Sequence, residues 1–289
     1  MLPALLTLGA VGVGCVLYGI FVERSWFRLV RYRMDILPAG SERTLTVLHL
    51  SDLHFLRRDG RKARFLASIP VPDVTVVTGD FLAEPEGIPE AVGAVRPVRG
   101  RLHSWFVLGS NDYFEPRPLN YLAYFRRNRR RRWAKRGRGP ELIAALAADG
   151  WEEVTNVRRE VSLDGLPVEL LGLDDAHIRR HDLRPAPRRT PDRFGVAVMH
   201  SPDSAPEAAA LGYDLIVAGH THGGQVRIPL VGALVTNCAM PRRLVSGRIR
   251  MGGATLHISP GLGTSKYAPF RFWCRPEATL LELRPRTSR

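Results

Sequence analysis

A chain of 289 residues that is 45% hydrophobic and 24% charged carries enough apolar material for one large folded domain, which excludes a small disulfide-stapled module or a disordered tail. Its formal net charge of +14 points toward anionic partners, while 27 glycines and 22 prolines suit a loop-rich protein without low complexity. Three widely spaced cysteines (Cys15, Cys238 and Cys274) make neither a metal motif nor a disulfide framework; only the last two could pair, and a reducing compartment is the simpler reading.

Residues 2–22 carry no charge and are rich in Leu, Val and Gly. As a helix they would span ~31 Å, enough for a bilayer core, and residues 1–22 are expected to be a transmembrane anchor. A cleaved signal peptide would need basic residues before the apolar run, and none precede it. Arg24, Arg28, Arg31 and Arg33 follow it, which by the positive-inside rule puts the rest of the chain in the cytoplasm as a single-pass protein of the cell membrane; an exported domain is the alternative. Trp26 and Phe27 suit the membrane interface. Residues 23–43, with Pro38 and Gly40, are expected to be a juxtamembrane linker.

Five apolar, strand-like runs follow, and each carries Asp, Asn or His at its C-terminal end. Residues 45–50 lead into Ser51-Asp52-Leu53-His54. Residues 73–78 lead into Gly79-Asp80, and 105–108 into Gly109-Ser110-Asn111-Asp112. Residues 194–199 lead into His200. Residues 214–218 lead into Gly219-His220-Thr221-His222-Gly223-Gly224-Gln225. On extended backbone His220 and His222 would point the same way, since side chains alternate with period two. In an open α/β sheet ligands bind outside the carboxyl ends of the strands, so these ends are expected to share one site. Imidazole and carboxylate donors suit Mn, Fe, Zn or Co. No Gly-x-x-x-x-Gly-Lys-Ser/Thr loop is present, which disfavours nucleotide-driven phosphoryl transfer.

Between the third run and a helix-like segment at 141–148 lies a basic insertion, residues 126–139, with nine positive charges from Arg126 to Arg138. It would suit an anionic membrane surface at about 1 kcal/mol per basic residue, or hold an acidic substrate. A solvated loop is the plain alternative, and nucleic acid, with Trp133 stacking on a base, is the least favoured. Leu173-Asp174-Asp175-Ala176-His177 follows another apolar run and reads either as a cluster beside the site or as an Asp-rich turn. His49 is expected to be a packed strand histidine, and His103, His181 and His257 carry no ligand spacing. Near the C-terminus Lys266, Tyr267, Arg271 and Arg275 could contact a phosphate or headgroup, or form a basic surface loop. Residues 278–283 alternate as a final strand.

The ordered motifs, Leu50-Ser51-Asp52-Leu53-His54-Phe55 through Gly219-His220-Thr221-His222-Gly223-Gly224-Gln225, resemble the calcineurin-like metallophosphoesterase family, and within it a membrane-associated bacterial branch. The resemblance covers residues 44–284 and leaves 285–289 as a tail. It implies an α/β fold, a metallophosphoesterase-type β-sandwich flanked by helices, here with an N-terminal transmembrane helix. It also implies two divalent metal ions: Asp52, His54 and His222 on the first, Asp80 bridging, and Asn111, His200 and His220 on the second. Two such ions ~3.5–4 Å apart can share a hydroxide and clamp a phosphoryl oxygen.

One motif departs from the pattern. The family usually reads Gly-Asn-His-Asp/Glu where this chain reads Gly109-Ser110-Asn111-Asp112. Asn111 is preferred as the ligand, because an amide oxygen is a better neutral donor than the Ser110 hydroxyl. Either way the usual general acid, typically worth 10²–10⁴-fold, is missing, which leaves three readings open: slow turnover, substrates restricted to good leaving groups, or substitution by Asp112 or His177. The implied function is a metal-dependent phosphoester hydrolase acting on a lipid-linked or nucleotide-linked phosphodiester or pyrophosphate. A nucleotide phosphodiesterase and a non-catalytic metal-binding scaffold are the alternatives.

Overall fold

The structure is a computed structural model that describes residues 2–116, 118, 135–184 and 190–287. Most of the basic insertion, including Trp133, lies outside the described residues. The chain opens with α1 (Leu2–Phe21), a helix without a charged residue that is long and apolar enough to cross a bilayer. Strands β1 (Arg28–Leu37), β2 (Leu45–Leu50), β3 (Val74–Thr78), β4 (His103–Val107) and β5 (Glu152–Glu153) belong to the first sheet. Strands β6 (Val157–Leu163), β7 (Leu166–Leu173), β8 (Phe194–Met199) and β9 (Leu215–Ala218) build the second. A short hairpin, β10 (Arg227–Ile228) and β11 (Gly232–Ala233), follows; β12 (Gly247–Met251) and β13 (Ala254–Ile258) complete the second sheet, and β14 (Glu277–Pro285) returns to the first. The sheet orders are β1-β14-β2-β3-β4-β5 and β12-β13-β9-β8-β7-β6.

Period-two alternation places the layers. Val47, Val74, Val76, Trp105 and Val107 from the first sheet meet Val168, Val196, Val198, Leu215 and Val217 from the second in one buried cluster. The opposite faces carry helices. Leu48, Leu50, Val77 and Phe106 pack beneath α2 (Gly60–Ala67), α3 (Ile88–Val95) and α5 (Gly139–Ala148), while Ala197, Met199 and Ile216 pack beneath α6 (Ala205–Ala210). Strands buried on both faces read as continuous apolar runs, which is why β3 and β9 were legible. Each buried Leu or Phe contributes ~1.5–3 kcal/mol, so the sandwich is a stiff platform for its loops.

The expected linker at 23–43 is corrected. Ten of its residues form β1, which pairs in parallel with β14 from Arg28 opposite Glu277 onward. Leu37 and Met34 are buried, whereas Arg28, Arg31 and Arg33 are exposed along this edge strand. Arginines that look like a membrane-flanking cluster are thus also what an edge strand carries to stay soluble.

Candidate metal centre

The loops after β2, β3, β4, β8 and β9 converge at one end of the sandwich. Asp52, His54, Asp80, His220 and His222 all have left-handed backbone, with φ of 49°, 45°, 54°, 68° and 50°. Non-glycine residues there cost about 1–3 kcal/mol each and persist where surroundings over-determine them. Cross-loop hydrogen bonds do so: Asp52 N–H donates to Gly79 O, His54 N–H to Asp80 O, and Gly219 N–H to His200 O. Two glycines permit the close approach. A Cβ on Gly219 would lie 1.7 Å from Ser51 Oγ, and one on Gly109 would lie 2.3 Å from Asp80 Oδ1. The expectation that His220 and His222 converge by strand alternation is therefore corrected: both lie in the turn beyond β9, which aims them at different neighbours.

His222 joins His54. Their Nε2 atoms are 3.3 Å apart, His54 Nε2 is 3.6 Å from Asp80 Oδ2, and His222 Nε2 is 3.4 Å from Asp52 Oδ1. One ligand atom from each of Asp52, His54, Asp80 and His222 lies within 4.8 Å of all the others. His220 joins His200 instead, with His220 Nδ1 3.2 Å from His200 Nε2, and His200 Nε2 is 3.6 Å from Asp80 Oδ1. Asp80 thus turns one oxygen to each imidazole pair. Asn111 holds it there, donating from its backbone N–H to Oδ1 (2.8 Å) and from Nδ2 to Oδ2 (2.5 Å).

These residues fit a metal centre. Two nitrogens each ~2.1 Å from one ion at about a right angle stand about 3 Å apart, the spacing of both pairs. The outer hydrogen bonds fix the tautomers: His200 Nδ1 donates to Thr78 O and His220 Nε2 to Asn237 O, so His200 Nε2 and His220 Nδ1 turn lone pairs toward each other. A proton or a cation must lie between them. Asp52 accepts from Ser51 Oγ and His220 N–H on Oδ2, which leaves buried Oδ1 without a hydrogen-bond partner, as are His54 Nδ1 and His222 Nδ1.

The electrostatics agree. Burial pushes the Asp80 carboxyl up, but His200, His54 and both Asn111 hydrogen bonds outweigh it and hold the group well below the usual carboxylate range. Burial drives His222 down to about 3, only partly offset by Asp52. Ionised carboxylates and neutral imidazoles are the forms that ligate. His200 also feels burial lowering it, but Asp80, Asp175 and Asp52 prevail and lift it to about 9, so this half of the site is strongly negative and favours a cation.

The two candidate proton donors separate. Asp112 is fully buried, with Oδ2 accepting from Gly109 N–H and Oδ1 from Leu82 N–H, closing the turn into α4 (Ser110–Tyr113). Burial and the nearby Asp80 push its carboxyl up to about 8, but both oxygens serve the backbone. The His177 ring instead lies 4.2 Å, centre to centre, from that of His220. Its loop is pinned by Asp175 Oδ1, which accepts from His177 N–H, and by Tyr113 and Arg180 donating to Asp174. The Asp-rich segment is a built wall of the site as well as a turn.

Other sequence readings move or stand. His49 is a packed strand histidine as expected, and His103 pairs with Glu152. Arg271 cannot contact a phosphate: it is fully buried and donates to the carbonyls of Pro260, Gly261, Gly263 and Cys274. Lys266 pairs with Glu84, and Arg275 lies over the Trp26 ring. The three cysteines are free. Thr78 and Asn237 were missed because they act through backbone carbonyls, which every residue carries.

Comparison with known proteins agrees with this geometry. The metallophosphoesterase YkuE of Bacillus subtilis is 27% identical over 243 residues, covering 82% of this chain and 76% of YkuE. The phosphodiesterase YaeI of Escherichia coli is 25% identical over 272 residues, covering 92% of each. The UDP-2,3-diacylglucosamine pyrophosphatase LpxG of Chlamydia muridarum is 24% identical over 222 residues, covering 64% of this chain and 65% of LpxG. Residues 45–224 match the calcineurin-like phosphoesterase family, and with the carboxylates and imidazoles gathered at its strand ends this chain belongs to that family as a metal-dependent phosphoesterase.

Proposed function

We propose that this protein hydrolyses a phosphodiester or pyrophosphate at a centre of two divalent cations, and that its substrate is a lipid-linked or nucleotide-linked phosphate met at the cell membrane. The carrying observation is Asp80, whose two oxygens face two separate imidazole pairs. Asp52, His54 and His222 would hold one ion, Asn111, His200 and His220 the other, with Asp80 shared. Bound divalent cations supply Lewis acidity toward a phosphoryl oxygen and a nucleophile at neutral pH. Thr78 O and Asn237 O hold His200 and His220 in register, and Asn111 keeps Asp80 between the pairs. An imidazole nitrogen of His177 delivers the proton to the leaving oxygen, the task left open by Ser110 and Asn111 in place of the family's Asn-His.

Two facts support the membrane part. The apolar α1 is long enough to span, and the arginines beyond it favour a cytoplasmic catalytic domain. The basic run at 126–139 would add attraction for an anionic surface. The name of LpxG, a pyrophosphatase of UDP-2,3-diacylglucosamine, supports an amphiphilic substrate. The test is Mn²⁺-dependent hydrolysis of bis- and mono-p-nitrophenyl phosphate by the full chain in detergent, with elemental analysis of bound metal. Diester turnover that disappears in both Asp80→Ala and His220→Ala, with two ions per wild-type chain, is expected. One ion per chain, or turnover indifferent to either substitution, would overturn the dinuclear reading, and a preference for nucleotide diesters over lipid-linked ones would move the substrate to the nucleotide class.

A further inference from the structure

The metal centre and the end of α1 lie at the same end of the sandwich. Strand β1 runs parallel to β14, and β14 runs antiparallel to β2, so β1 begins where β2 ends, beside the loop that carries Asp52 and His54. The last turns of α1 are fastened to that end. Arg271 N–H donates to Gly19 O, the Tyr18 ring meets the Phe272 ring edge-on at 6.3 Å, and buried Glu23 accepts from Trp273 and Cys274 N–H. Phe272 in turn pairs with the segment leaving the metal centre, through Phe272 N–H to Gln225 O and Arg227 N–H to Phe272 O.

That segment becomes the β10–β11 hairpin, and its side chains are the wrong kind for water. Leu230 is fully exposed, Val231 is 67% exposed, and Ile228 and Leu234 are exposed beside them, with Trp273 and Trp26 exposed nearer α1. Leu230 also adopts a left-handed backbone at φ 68°, unfavourable for a branched side chain placed only to meet solvent. Arginines flank the tip: Arg227 at its base, and exposed Arg242 and Arg243, the former donating to Leu234 O. Apolar tip residues ringed by arginine and tryptophan match the layering of acyl chains beneath anionic headgroups.

We propose that the β10–β11 hairpin dips into the same bilayer that α1 enters, with Leu230 and Val231 among the acyl chains and Arg227, Arg242 and Arg243 at headgroup phosphates. This deepens the proposed function and rests on its membrane reading. Val226 stands four residues after His222, so the hairpin seats the rim of the metal centre at the lipid surface. An amphiphilic phosphoester can then present its phosphate to the ions while its chains stay in the membrane, and a soluble ester gains nothing from this seating.

The test uses the full chain in vesicles of phosphatidylcholine with phosphatidylglycerol. Nitroxides are attached singly at Leu230→Cys, Leu17→Cys in α1 and Val71→Cys at the opposite end of the sandwich, in a Cys15→Ala/Cys238→Ser background. Depth is read as the ratio of accessibility to oxygen over a water-soluble nickel chelate. Leu17 and Leu230 labels are expected to show ratios several-fold above that of Val71. A lipid-exposed Leu17 with a Leu230 label matching Val71 would overturn the hairpin inference and leave the anchor standing. A water-accessible Leu17 would overturn the anchor reading and the inference with it. Dipolar broadening between Leu230 labels on two copies would assign the hairpin to self-association and overturn the lipid partner.

Discussion

Two pairs of buried histidines in this molecule have the same ring geometry and opposite electrostatics. His49 and His257 meet with ring centres 5.0 Å apart at 73°, and so do His200 and His220. The first pair lies inside the sandwich, bridging β2 to β13 by a 2.8 Å contact between Nδ1 atoms, with His49 Nε2 on Thr78 Oγ1. Carboxylates are absent from the causes that set its protonation. Burial takes His257 down to about 3, and burial together with His257 holds His49 well below its usual value. The second pair lies beyond the strand ends, where Asp80, Asp175 and Asp52 lift His200. The carboxylates around a buried imidazole pair therefore decide whether its surroundings repel or attract positive charge, and a few residues along a strand separate the two cases.

The largest break of this contrast comes from removing β1. The Tyr32 ring lies 5.4 Å from that of His257, so the edge strand walls the core pair. Deleting residues 2–21 should leave a cooperatively folding domain. Deleting 2–37 also removes the burial of Met34, Ile36 and Leu37, about 5 kcal/mol at ~1.5–3 kcal/mol each. A fall in melting temperature of roughly 10–20 °C is expected for the longer deletion by calorimetry. Equal melting of the two truncations would return residues 28–37 to the status of a linker.

Next in size is His200→Ala against His49→Ala. The first should lose bound metal by elemental analysis and about 10³-fold of diester turnover, near 4 kcal/mol at 1.36 kcal/mol per decade. The second should keep its metal and turn over within a few-fold of wild type while melting earlier. Comparable losses of metal in both would mean the core pair serves the site and the contrast is false.

A smaller effect distinguishes the wall of the site from its floor. His177→Asn should slow hydrolysis of an alkyl phosphodiester by about 10²-fold, the low end of what a positioned acid supplies, and that of a p-nitrophenyl ester much less, since nitrophenolate leaves without a proton. Asp112→Asn should cost stability through its two backbone hydrogen bonds and leave the ratio between those substrates unchanged. If Asp112→Asn shifts that ratio and His177→Asn does not, the donor is Asp112.

How much of this was legible in sequence follows from the same contrast. The strand ends were, because a buried parallel strand must be apolar throughout and any Asp or His at its end stands out. The expected partition of seven ligands into two clusters around Asp80 came from resemblance, and the fold adds what composition could not give: left-handed turns at Asp52, His54, Asp80, His220 and His222, whose positions depend on cross-loop hydrogen bonds. Strand β1 was hidden because its partner lies 249 residues away and its arginines carry two meanings. Asp112 reads as a candidate acid from its neighbours in sequence, while the amides of Gly109 and Leu82 that donate to it come into view only in the fold.

The finest test is a pH dependence. His257 has a folded value of about 3 against an ordinary 6.5, so between those limits the unfolded chain binds more protons than the folded one. Stability therefore rises with pH in that window and is lost as pH falls from about 6.5 toward 3, at up to ~1.4 kcal/mol per pH unit for one proton. His257→Gln keeps a neutral partner for His49 and cannot titrate. At pH 7 it should cost about 1 kcal/mol, the worth of one hydrogen bond. Its urea midpoint should fall less steeply than wild type between pH 7 and 5, and the two curves should close or cross on the acid side. Protons taken up at the metal centre load both proteins alike, so the difference in slope belongs to His257. Parallel curves would mean that the core pair accepts protons as the strand-end pair does, and that carboxylates are not what separates them.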